Sequence, residues 1–171
     1  MNWYETIAFL THCLPKAVAR PLNALPDGSL REIRVRAGQS ILLSTRQGET
    51  ICPCEPTPQQ VAQMAEALCE HALYARAEEQ RSGFVTLRGG HRMGLCGRVI
   101  CQGQSIRALR DISSFCIRIA GQWRGAADGL IGQLTDENGR CRSTLIVGLP
   151  GMGKTTLLRD SLRRLSEAGR R

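Results

Sequence analysis

Lysine is nearly missing from this chain: 171 residues hold only Lys16 and Lys154, against 21 arginines. Long apolar runs are missing too. No stretch approaches the ~18 to 20 consecutive apolar residues of a membrane span, so no transmembrane segment is expected. The N-terminus "MNWYETIAFLTHCLPKAVARPL" has no basic region ahead of a purely apolar run, so no signal peptide is read and the chain is expected inside the cell. Aromatic residues make up 4 %, too few for a platform that stacks single-stranded bases, and no zinc finger or helix-turn-helix pattern occurs. The eight cysteines include no C-x-x-C pair; Cys52 and Cys54 are spaced C-x-C with no second pair after them, so no metal site is expected. Cys13, Cys69, Cys96, Cys116 and Cys141 sit in apolar segments and are expected as small buried hydrophobes. Internal repeats and low-complexity tracts are absent from the sequence.

The formal charge is +8, and it is concentrated. Residues 81–124 carry eight arginines and one acid, Asp111. Such a segment attracts polyanions or forms a solvated basic face. Along the chain, Trp3, Ile7, Leu10 and Leu14 have helical spacing ahead of Pro15 and Pro21. "LREIRVRAGQSILLSTRQGETI" alternates apolar and charged residues with turns at Gly38 and Gly48, which predicts two or three antiparallel strands. Thr57, Pro58 and Gln60 form an N-cap, a proline at the first helical position and a capping-box partner, predicting a helix over 57–80 with Val61, Met64, Ala65, Leu68 and Ala72 as its buried stripe. Gly89-Gly90 predicts a two-residue hairpin turn, Gln102 to Gln104 a second turn, and Ile112 to Ile119 a last strand. The front of the chain therefore reads as α+β, helices packed on an antiparallel sheet, over residues 1–124.

From residue 125 the pattern changes. A short helix (Leu130, Ile131, Leu134), the turn "DENGR", the apolar strand "STLIVG", a glycine-rich loop and a helix follow in that order, the expected opening of a parallel α/β nucleotide-binding domain. The loop, Gly148-Leu149-Pro150-Gly151-Met152-Gly153-Lys154-Thr155, satisfies the whole Walker A pattern. Gly148, Gly151 and Gly153 are expected where the backbone must take conformations closed to residues with a Cβ, turning successive N–H groups onto phosphate oxygens. The N-terminus of the next helix adds unpaired N–H groups and the positive end of its dipole. Lys154 supplies a point charge for the β- and γ-phosphates, the Thr155 hydroxyl a ligand for Mg²⁺, and Thr156 a donor for the α-phosphate; ATP and Mg²⁺ are the expected cofactors. Hydrolysis also needs an acid at the end of a second apolar strand, and none follows the loop here. The nucleotide-binding portion, 125–171, is thus expected to be incomplete at its C-terminus, with hydrolysis a property of a longer protein.

"GFVTLRGGHRMGLCGRV", "LRDISSFCIRIAG" and "STLIVGLPGMGKTTLLRDSLRRLS" resemble the stage III sporulation AA family of endospore-forming bacteria, densely from about Gly83 to Ser166. The resemblance implies a RecA-like P-loop ATPase similar to the ring-forming ATPases of type II and type IV secretion and pilus systems. An N-terminal α+β domain would precede the motor domain. It further implies a homo-oligomeric ring in the mother-cell cytoplasm, peripheral to other stage III sporulation membrane proteins, energising a channel between mother cell and forespore. By the same resemblance Arg110 and Arg118, in "LRDISSFCIRI", are candidate arginine fingers that neutralise charge as the γ-phosphoryl leaves. The competing reading pairs Arg110 with Asp111 and leaves Arg118 on a solvated strand face. Two other functions remain beside the ATPase: a basic nucleic-acid-binding module, with nucleic acid the less expected partner, and a non-catalytic truncated remnant.

Overall fold

Asn2 caps the first helix, α1 (Trp3–Cys13): its side chain accepts from Glu5 N–H while the Glu5 carboxylate accepts from Asn2 N–H. The computed structural model describes residues 2–73, 77–103, 105–121 and 125–169. These divide into two compact units, Met1–Gly121 and Gln122–Arg171.

In the first unit α1 ends ahead of Pro15 as expected, and a second helix, α2 (Lys16–Asn23), follows it. Pro15 stands outside it as the N-cap, and Pro21 is accommodated within it. Three antiparallel strands come next, β1 (Leu30–Arg36), β2 (Ile41–Thr45) and β3 (Glu49–Cys52). The helix α3 (Pro58–Leu68) begins as the capping box predicts, Thr57 accepting from Gln60 N–H. It does not run to residue 80. Glu70 and His71 take φ of 53° and 59°, His71 N–H turns back to the Glu66 carbonyl, and a separate α4 (Ala77–Arg81) follows. No glycine or proline marks that break, so the apolar spacing carries on past it.

Strands β4 (Phe84–Thr86), β5 (Arg92–Gln102) and β6 (Ser105–Arg118) complete one six-stranded antiparallel sheet in the order β3-β2-β1-β6-β5-β4. Gly89 and Gly90 do take positive φ, 84° and 80°, but the connection is wider than two residues: Arg88–Gly90 form a 3₁₀ turn closed by Leu87 N–H on the His91 carbonyl. Strand β6 starts seven residues before the expected Ile112. Alternate residues Ile33, Val35, Ile41, Leu43, Met93, Leu95, Phe115 and Ile117 join Leu10, Val18, Leu22, Val61 and Leu68 of the helices in one buried core. The opposite sheet face is open and carries Arg34, Arg36, Arg92 and Arg118.

The β5–β6 ladder is interrupted once in a way that shapes the rest. Cys96 pairs with Ser114, yet Arg98 pairs with Arg110, so β6 holds two surplus residues at that point. Asp111 takes φ 47° there, and Ile112 is drawn into the core. Across from it a Cβ on Gly97 would stand 2.5 Å from the Arg110 carbonyl oxygen. Only glycine fits.

In the second unit residues 125–133 form successive turns in place of the expected short helix, with Leu134 N–H on the Leu130 carbonyl. "DENGR" is a turn as expected, the Asp136 carboxylate accepting from Asn138 and Arg140 N–H. Residues 143–148 do not form the expected strand: among the described residues they pair with no neighbour, and Leu145 and Val147 are 86 % and 81 % exposed. A strand exists only through a ladder partner. The helix α5 (Lys154–Glu167) closes the unit.

Candidate phosphate-binding loop and the arginine face

Gly151 and Gly153 have φ of 81° and 79°, so at these two positions the loop needs glycine for its backbone. Gly148 departs from the expectation: its φ is ordinary, and a Cβ there would meet the Lys154 stem at 3.8 Å, normal contact. Its role is room beside the lysine. Gly153 is the N-cap of α5 and brings no side-chain cap, and no acid lies in the first helical turn. The unpaired N–H groups of that turn therefore keep their attraction for an anion. Lys154 Nζ donates to the carbonyls of Gly148 and Leu149 at 2.8 and 2.7 Å, which folds the side chain back over the loop. Leu149, Pro150, Met152 and Thr155 are exposed and Thr156 is half-buried.

The helix is anchored behind the loop by a residue that sequence reading passed over. Asp160 is buried; its carboxylate accepts from Ala127 N–H at 2.9 Å and from Arg163 at 2.7 Å, and Arg163 also reaches Glu167. The Ala127 hydrogen bond, then Arg163, hold the Asp160 carboxyl below its ordinary value. An Asp six residues into a P-loop helix has no distinguishing spacing, so nothing in the sequence pointed to it.

Among the described residues no group of three His, Cys, Asp or Glu is placed to hold a metal ion. The Thr155 hydroxyl is one oxygen that could take a position on a Mg²⁺ ion, which usually keeps several of its waters.

Arg110 and Arg118 lie in the first unit, and the structure does not bring them together. Arg118 pairs in register with Arg92 and Arg110 with Arg98, six β5 residues further on, about 20 Å at strand rise. Arg118 is 80 % exposed and lies 3.6 Å from Glu32, which also binds Arg34. Burial pushes the Glu32 carboxyl up, but hydrogen bonds from Arg34 and the Cys116 thiol and the charges of Arg34 and Arg118 bring it below its ordinary value. Burial, then the charge of Glu32 and its hydrogen bond, pushes the Cys116 thiol up to about 11. Asp111 pairs with Arg98 at 2.7 Å, not with Arg110, which has no ion pair among the described residues. A depression of about 480 Å³ sits on this open face, floored by Gly94 and Cys116 and flanked by Arg34 and Arg36.

His91 is a second residue the sequence did not single out. It is 2 % exposed, Nδ1 accepts from Ala120 N–H at 3.0 Å, and Nε2 is buried with no hydrogen-bond partner. Burial lowers its pKa, so it is the neutral imidazole that ties the end of β6 to the start of β5. The cysteines divide: Cys52 and Cys69 are buried, Cys13, Cys54 and Cys116 partly so, but Cys96, Cys101 and Cys141 are exposed, against expectation for Cys96 and Cys141. Cys96 occupies the open sheet face, and Cys141 forms an isolated bridge with Thr135.

No helix among the described residues is long and apolar enough to cross a membrane. Two solved structures are similar at 14 % and 15 % identity: the ATPase DotB of Legionella pneumophila (TM-score 0.44, covering 92 % of this chain and 42 % of that one) and the VirB11 ATPase of the Brucella suis type IV secretion system in complex with sulphate (TM-score 0.42, 97 % and 44 %). Sequence comparison reaches further. Stage III sporulation protein AA of Bacillus subtilis is 37 % identical over 165 residues, 95 % of this chain and 53 % of that protein, so the chain spans about half the length of this curated relative. The profile of the family described as "Sporulation stage III, protein AA" matches residues 9–171, and the chain belongs to that family.

Proposed function

We propose that residues 148–156 bind the phosphates of Mg-ATP and that the chain is the nucleotide-binding part of a P-loop ATPase of the sporulation programme. The observation that carries this is the pair of left-handed glycines, Gly151 and Gly153, leading into a helix with no side-chain cap, with Lys154 and Thr155 at its first positions. Backbone N–H groups of 151–156 would hold the phosphates. Lys154 would leave the carbonyls of Gly148 and Leu149 for the β- and γ-phosphates, Thr155 would take one Mg²⁺ position, and Thr156 would donate to the α-phosphate. The metal supplies charge neutralisation on the phosphates when bound. Residues 125–171 are read as the opening of a RecA-like domain and residues 1–124 as the α+β domain before it.

The test is a thermal melt of the 171-residue chain with and without Mg-ATP. A ligand at 100 times its Kd raises stability by about 2.7 kcal/mol, and Lys154→Ala should abolish the shift. An unchanged melt, or a shift that survives Lys154→Ala, would falsify the reading.

In the longer protein this reading extends to ATP hydrolysis by a homo-oligomeric ring, working in the mother-cell cytoplasm against other stage III membrane proteins. Arg110 and Arg118 would neutralise charge on the leaving phosphoryl. Since about 20 Å of ladder separates them, they would serve different anions or different subunits' nucleotides. Arg110→Ala and Arg118→Ala in that protein should each lower kcat more than they raise KM for ATP.

A further inference from the structure

Beyond the surplus residues at Asp111, β5 and β6 continue as a two-stranded ribbon without a third strand among the described residues. Strand β4 pairs with β5 no further than Gly94, and β1 pairs with β6 no further than Ser114. The ribbon's pairs are Arg98 with Arg110, Val99 with Leu109, Ile100 with Ala108, Cys101 with Ile106 and Gln102 with Ser105. Leu109 is buried in the core and fixes the root. The two sides differ. Val99 and Cys101, two apart on β5, share one side with Leu109 and Ile106, and Val99 and Ile106 remain 49 % and 43 % exposed. The other side begins with Arg98 facing Arg110 directly, Arg98 being held also by Asp111 at 2.7 Å, and continues with Ile100 facing Ala108. Arg107 is the odd residue of a second irregularity in the ladder, and residues 98–110 contain no acid.

We propose that this ribbon docks on an anionic lipid surface. A ribbon with branched aliphatics on both sides, Val99 and Ile106 on one and Ile100 on the other, and with Arg98, Arg107 and Arg110 among them suits the boundary between headgroups and acyl chains, where phosphates meet the guanidinium groups and apolar surface leaves water. The free edges of a two-stranded ribbon carry unpaired N–H and C=O groups, which bars it from the hydrocarbon interior and keeps it at the headgroup level. Two other occupants suit it less. A second copy of the ribbon would set Arg98 and Arg110 against their like. A single-stranded nucleic acid would find no aromatic ring in 98–110 to stack on and would leave Val99 and Ile106 in contact with water.

The experiment is co-sedimentation of the 171-residue chain with phosphatidylglycerol vesicles and, separately, phosphatidylcholine vesicles. Binding is expected to the first only, weakening as salt rises. Ile106→Asp should remove it and Arg107→Glu weaken it about tenfold, at roughly one arginine's worth of headgroup attraction lost and a repulsion gained. Both positions are exposed, so both variants should melt with the parent chain; Val99→Ser is a third, milder probe of the apolar side. Equal binding to the two lipids, anionic binding untouched by all three variants, or tighter binding to a DNA oligonucleotide in the same salt overturns the proposal. None of these changes touches residues 148–156, so the result is independent of the nucleotide reading.

Discussion

The two units hold their shape by different means. In the first, α1, α2, α3 and a six-stranded sheet share one core, and nearly all the buried apolar residues described are found there. In the second, only Ala127 and Leu165 are buried among the apolar residues described, while Leu145, Val147, Leu149, Met152, Leu158 and Leu162 are exposed. Its form comes from local chemistry: left-handed glycines, the Asx turn at Asp136, and one buried carboxylate that pins α5 to Ala127. A loop built by backbone conformation can keep its geometry with little core beneath it, and a nucleotide bound as proposed would add directly to its stability.

The sharpest way to break this contrast is to delete buried volume. Leu43→Ala, at a fully buried position of β2, should cost about 3 kcal/mol in urea unfolding of the first unit. Leu158→Ala, on the exposed side of α5, should stay within about 0.5 kcal/mol. Equal losses would show that the helix is buried against something as fully as the sheet is. Next in size is Gly97→Ala, expected to cost about 2 kcal/mol because the new Cβ meets backbone rather than a flexible side chain. Its loss should fall on the β5–β6 ladder and leave amide exchange of α5 unchanged.

How much of this was readable beforehand follows the same division between local and non-local causes. The capping box at Thr57, the alternation in β1 and β2, and the left-handed glycines Gly151 and Gly153 are local signals, and each appears where expected. The break after Leu68 has no glycine to announce it, because Glu70 and His71 take up left-handed conformations that side chains usually avoid. The surplus residues in β6 are intelligible only from Gly97 on the neighbouring strand, which no reading of "LRDISSF" by itself supplies. "STLIVG" has a strand's composition, but composition provides no partner. The reading that competed with an arginine finger paired Arg110 with Asp111; the left-handed turn at Asp111 hands that carboxylate to Arg98 instead. Asp160 and His91 gave no signal because their partners are backbone N–H groups 33 and 29 residues away.

Acid titration separates the units at smaller amplitude. His91 has its pKa lowered in the fold, so its contribution is complete above the ordinary histidine value of about 6.5 and is lost progressively as pH falls below it. The first unit should therefore melt earlier at pH 5 than at pH 7. His91→Asn, which keeps an acceptor for Ala120 N–H and cannot titrate, should flatten that limb. An unaltered limb would move the proton to another group. Asp160 also has its pKa lowered, so what it contributes holds above the ordinary aspartate range, about 3.9, and fades only as pH drops beneath it. The smallest expected effect is thus Asp160→Asn at neutral pH: faster amide exchange at Ala127 and weaker docking of Arg163, with the first unit's melt unchanged.

Gly97 and the two additional residues opposite it form one trait in the hereditary sense. A side chain gained at 97 collides with a β6 of the present length, and a β6 shortened to regular register would lose the turn at Asp111 that now seats Ile112 in the core. Either change is disfavoured while the other is missing. A lineage that altered this corner would have to alter both strands together, through an intermediate weaker than either end state.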